Sequence, residues 1–101
     1  MNESPTFLLT DVEGSTRLWE EHPARMAPAL AWHDEIVARM VGEHGGELVK
    51  TRGEGDSSFS VFADPVDAVR AAVAMGARLA EGSPPVALRV RAAVHIGPVE
   101  A

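Results

Sequence analysis

Apolar and polar positions change rhythm along this chain, and each rhythm predicts an element. Residues 6–12, TFLLTDV, are a short apolar run without alternation, which predicts a central strand buried on both faces. Ser15 and Thr16 then read as the start of a helix, which RLWEE continues until Pro23 breaks the pattern. From Ala27 to about Glu43, the residues Leu30, Ile36, Val37, Met40 and Val41 recur mostly at steps of three and four, predicting an amphipathic helix. His44, Gly45 and Gly46 are its stop. ELVK, residues 47–50, predicts a strand, and SFSVF, residues 58–62, alternates as a half-buried strand does. The glycines of TRGEGDS between them predict a tight hairpin connection. Asp64 and Pro65 supply an N-cap and a first-turn proline for the long helix VDAVRAAVAMGARLAE, which Gly82 and the Ser83-Pro84-Pro85 turn close. ALRVRAAVHIG, residues 87–97, predicts the last strand.

That order predicts an α+β fold of the ferredoxin-like kind, an antiparallel sheet with helices on one face. A chain of 101 residues, 46% hydrophobic, suits one small domain with a single two-layer core. No internal repeat or linker interrupts residues 1–101, and the last predicted strand lacks an element to cover it, so the chain reads as part of a larger domain. Fifteen acidic against nine basic residues give a formal charge of −6, which argues against direct nucleic-acid binding or adhesion to an anionic membrane. A nucleotide would have to be held locally, with help from a cation. The absence of cysteine excludes disulfides and thiolate metal sites. The opening MNESPTF is acidic and leads into an apolar run far too short to span a membrane, so a cytoplasmic location is expected.

Chemistry concentrates at Asp11, which ends the first strand, and at Asp56, in the GEGDS turn of residues 53–57. If the first strand lies beside that hairpin, the two carboxylates converge at the sheet edge and repel unless a cation sits between them. Mg²⁺ is the natural candidate, since it takes hard oxygen ligands and substrate phosphates. Val12 could add its backbone carbonyl to the same ion, while the N–H groups of Gly14, Ser15 and Thr16 would face a triphosphate at the helix start. Glu13 and Glu54 read as solvated acids, and Lys50 and Arg52 are balanced between a solvated hairpin face and a functional one. His22, His33 and His44 are spaced by eleven, about 16 Å along a helix, too far apart to share an ion. His95 reads as a core or edge histidine, and Trp19, Trp32, Met26 and Met40 as packing residues between helix and sheet.

FLLTDVEGSTRLWEE, GGELVKTRGEGDSSFSVFADPVDAVRAAVA and LRVRAAVHIGPVE together resemble class III adenylate/guanylate cyclase catalytic domains, especially the bacterial type attached to LuxR-like regulators. The resemblance runs from Thr6 to Glu100 and covers the amino-terminal part of such a domain. It implies a homodimeric enzyme that converts ATP to 3′,5′-cyclic AMP and pyrophosphate with two ions of Mg²⁺ or Mn²⁺, with GTP as the alternative nucleotide. On the matching positions Asp11 and Asp56 are metal ligands, Val12 is a carbonyl ligand, and Glu13, Gly14, Ser15 and Thr16 form the phosphate-binding turn. The family's purine-selecting lysine lies four residues before the second aspartate, where this chain has Arg52. An alternative register keeps Lys50 in that role and makes Glu54 the ligand. The family's second purine-selecting residue and the asparagine and arginine that stabilise the transition state lie beyond Gly97, so little turnover is expected from these residues alone. The alternative is a non-catalytic nucleotide-sensing or dimerisation module of a signalling regulator. A diguanylate cyclase would carry a GGDEF-type turn in place of GEGDS.

Overall fold

The computed structural model describes residues 4–53 and 56–97, with residues 50–53 described by their backbone only. The elements are β1 (Thr6–Val12), α1 (Ser15–Glu21), α2 (Pro23–Glu43), β2 (Glu47–Gly53), β3 (Ser57–Phe62), α3 (Pro65–Glu81) and β4 (Val90–Ile96). The sheet has the order β2-β3-β1-β4 with every neighbouring pair antiparallel, so the predicted α+β, ferredoxin-like architecture forms.

β1 is central in the sheet, but it is covered on one face only. Thr6, Leu8, Thr10 and Val12 are buried beneath the helices, whereas Leu9 on the other face is 44% exposed. The apolar run therefore serves two faces of different kinds. On the helix side, Leu8 and Phe62 meet Val37, Met40 and Val41 of α2 and Ala68, Ala71 and Met75 of α3. A second cluster joins Val12 to Met26, Ala29, Leu30 and Val86, with Leu18 and Trp19 of α1 packed against it. On the open side Phe7 stacks on Phe59 at 5.3 Å and lies 6.3 Å from the ring of His95, which is the exposed edge-strand histidine expected.

Several boundaries differ from the predicted ones. α2 starts at Pro23, not Ala27, because a proline in the first helical position gives up an N–H that would be unpaired there anyway. Pro28 lies inside this helix and gives up the backbone bond to the Ala24 carbonyl. Gly45, with φ of 78°, supplies the left-handed residue that ends it. β2 runs on to Gly53, with irregular pairing between Leu48 and Lys50 and between Thr51 and Gly53, so TRG belongs to the strand and not to the turn. β4 begins only at Val90. Asp64 caps α3 as predicted, its carboxylate accepting from the Val66 N–H at 2.9 Å.

The one-sided burial of β1 sets an expected contrast. Leu8→Ala should lower stability by about 3 kcal/mol, and Leu9→Ala by less than about 1 kcal/mol. Urea midpoints of the two variants measure the difference, and equal losses would mean that the open face is covered.

Candidate active site

The site grows from the register of three strands. Asp11 of β1 stands opposite Ser57 of β3 on one side and Arg91 of β4 on the other. Asp56 immediately precedes Ser57, so the two aspartates end neighbouring strands at the same edge of the sheet. Their carboxylates nevertheless engage different elements.

Asp11 is taken by Arg91 in a fork: Nε donates to Oδ1 at 2.8 Å and Nη2 to Oδ2 at 2.9 Å. These hydrogen bonds first, then the charge of Asp11, raise the Arg91 pKa above its already high ordinary value, against a small opposing effect of desolvation. Arg91 is therefore a fixed cation beside the first carboxylate. Both side chains are open to water, which leaves the pair exchangeable.

Asp56 adopts a left-handed backbone, φ 57°, which aspartate tolerates better than most residues. Its Oδ2 accepts from the Ser15 hydroxyl and from Trp19 Nε1, the latter at 2.9 Å. The second carboxylate is thus turned toward α1.

The β1 to α1 connection supplies the rest. Gly14 takes φ of 67° as it enters the helix, a conformation that favours glycine, and α1 begins without a side-chain cap. Glu13 donates its backbone N–H to the Arg89 carbonyl at 2.7 Å, and its carboxylate faces the Arg89 guanidinium at 3.8 Å. Its N–H is already spent on that bond, so the donors left to the turn are those of Gly14, Ser15 and Thr16. Val12 buries its side chain in the second core cluster, so any part it plays at the site is through its backbone. Asp11, Val12, Gly14 to Thr16, Arg17 and Arg91 line an open cleft of about 520 Å³. Among the described residues, a groove of similar size at the far end of the sheet, beside Gly45 and Phe62, offers one carboxylate, Glu47, and no cation.

Lys50 and Arg52 both fall on β2, with Lys50 opposite Phe59 of β3, and their side chains lie outside the described residues. Glu54 lies outside the described residues altogether. No cluster of three or more His, Asp or Glu occurs among the described residues. The available donors are the carboxylates of Asp11 and Asp56, the Ser15 hydroxyl and the Val12 carbonyl. All are hard oxygens, a set that fits Mg²⁺ or Mn²⁺ and disfavours zinc.

Sequence reasoning missed Arg91 and Trp19. The spacing of Ser15 and Trp19, one helical turn apart, was visible in the sequence. The approach of Arg91 to Asp11 needed the register of β4.

No protein-family model matches the chain. An uncharacterized protein of Mycobacterium tuberculosis is 39% identical over 95 residues, 94% of this chain and 32% of that protein. A receptor-type adenylate cyclase of Trypanosoma equiperdum is 36% identical over 72 residues, 71% of this chain and 15% of the cyclase. The solved structure of an adenylate cyclase from Trypanosoma brucei in its monomeric state superposes with a TM-score of 0.82 at 27% identity, covering 95% of this chain and 56% of that one. By fold and by alignment the chain corresponds to part of a class III nucleotide cyclase catalytic domain. It spans about a third of the length of its mycobacterial relative and just over half of the solved domain.

The Asp11–Arg91 fork gives an expected outcome. Arg91→Ala should strengthen Mn²⁺ binding to the nucleotide-free chain, by no more than about fivefold, the scale of an exposed ion pair. Electron paramagnetic resonance of free Mn²⁺ measures it, and an affinity that falls instead would show that Arg91 does not compete for Asp11.

Proposed function

We propose that the chain is the metal- and triphosphate-binding part of a nucleotide cyclase domain that, as a homodimer, converts ATP to 3′,5′-cyclic AMP and pyrophosphate in a cytoplasmic signalling protein. The observation that carries the reading is the meeting, at one sheet edge, of two strand-end aspartates, an uncapped helix start after Gly14 and the Arg91 guanidinium.

Asp11 and Asp56 would hold Mg²⁺ or Mn²⁺, with the Val12 carbonyl as a further oxygen. Two such ions supply acidification of the ribose 3′-hydroxyl and neutralisation of the departing phosphates. Arg91 loses its carboxylate partner when Asp11 turns to a cation, and its fork then suits phosphate oxygens in the same cleft. The N–H groups of Gly14, Ser15 and Thr16 orient the same phosphates. Lys50 or Arg52 contacts the purine: β2 lies two strands from β1, about 10 Å at the usual strand spacing, a distance that suits the span from triphosphate to base. A second copy covers the open face around Phe7, Leu9 and Phe59 and excludes water. No helix among the described residues is long and apolar enough to cross a membrane.

The fork on Asp11 also favours a second reading, a module that binds nucleotide without turning it over. Either way, ATP should bind in a Mn²⁺-dependent manner, and binding should weaken at least tenfold in an Asp11→Asn, Asp56→Asn double variant. Isothermal titration with ATP and with GTP, with and without Mn²⁺, measures this. Equal binding by the double variant would sink the metal reading. Metal-dependent binding without cyclic nucleotide, in the chain and in any longer product of the same reading frame, selects the module.

A further inference from the structure

We propose that Trp19 is a positioning residue for Asp56: its indole N–H fixes one carboxylate oxygen so that the other is presented to a hard divalent cation. This rests on the reading of Asp56 as a metal ligand. The Oδ2 atom receives two donors from α1, Trp19 Nε1 at 2.9 Å and the Ser15 hydroxyl. Oδ1 accepts no hydrogen bond among the described residues, so its lone pairs are open.

The two donors are not equivalent. A hydroxyl rotates and both donates and accepts, whereas an indole N–H only donates, from a rigid ring. That ring is anchored, since Trp19 packs against the cluster of Val12, Met26, Ala29 and Leu30. Val12 follows Asp11 directly, so one side chain ties the end of β1 to the turn that carries Asp56. Asp56 itself sits in a left-handed conformation that costs free energy in a residue with a Cβ, and the two bonds from α1 help to hold it there. Ser15 and Trp19 are one helical turn apart and act from the same face of α1. Orienting a ligand carboxylate from behind is a task in which loss of the supporting partner weakens metal binding by about 10- to 100-fold.

The test uses the whole chain, whose two indole N–H signals in a ¹⁵N–¹H spectrum are assigned with Trp32→Phe. In the metal-free chain, Asp56→Asn should shift the Trp19 signal. Mg²⁺ should shift it saturably and Mn²⁺ should broaden it, with the Trp32 signal little changed. Trp19→Phe should weaken Mn²⁺ binding about tenfold, with an unchanged circular dichroism spectrum. A Trp19 signal indifferent to Mg²⁺, with undiminished Mn²⁺ affinity in Trp19→Phe, would overturn the proposal while an effect of Asp56→Asn on Mn²⁺ kept the metal reading intact. If Asp56→Asn leaves Mn²⁺ affinity unchanged, the metal reading fails and the proposal with it, even where the indole signal moves. Should Trp19→Phe fail to fold, the Mg²⁺ response of the wild-type indole decides: a saturable shift supports the proposal and its absence overturns it.

Discussion

The register of β1 between β3 and β4 is the constraint on which the site depends. Side chains alternate along a strand, so the burial of Leu8 and Val12 under the helices forces Asp11 onto the opposite face. There it meets Arg91 from β4, while Asp56, just before the start of β3, turns its carboxylate toward α1. A slip of one residue would bury the carboxylate of Asp11 and expose Leu8. The apolar core thus fixes the address of the polar chemistry, at a cost in misplacement far larger than any pairing between exposed charges could offset.

Two kinds of support meet at that address. Behind the site, Trp19 and Leu18 lock the short α1 onto the cluster around Val12, and α1 needs this because so few turns are marginal without tertiary contacts. In front, the Asp11–Arg91 pair is open to water and exchangeable. On the proposed reading, a site for a cation and a polyanion is served by this combination, a frame that holds the ligands and a solvent-exposed countercharge that can change partners. The net charge of −6 would give a local cation more weight on that reading, since a chain of that charge repels a triphosphate.

The open side of the sheet belongs to the same design. Phe7, Leu9 and Phe59 present apolar surface on the sheet face that also carries Asp11, and on the proposed reading removal of water there would strengthen the charge interactions at the site. The solved cyclase domain is nearly twice the length that this chain covers.

The sequence by itself determined the element order and the pair of candidate aspartates, whereas the predicted single core is divided into two clusters. Those features are local: apolar periodicity, the Asp64 cap and glycines at turns act within a few residues of one another. It placed the helix start four residues late at Ala27, because Pro23 reads equally as a stop and as a first helical residue. It ended β2 too early, since a strand continued through irregular pairing has no simple alternation. Only the tertiary structure decided that β1 has one open face, that Arg91 grips Asp11 and that Trp19 grips Asp56. Those contacts join residues 80 and 37 positions apart, and they follow from strand register and helix packing, which no short stretch of sequence encodes.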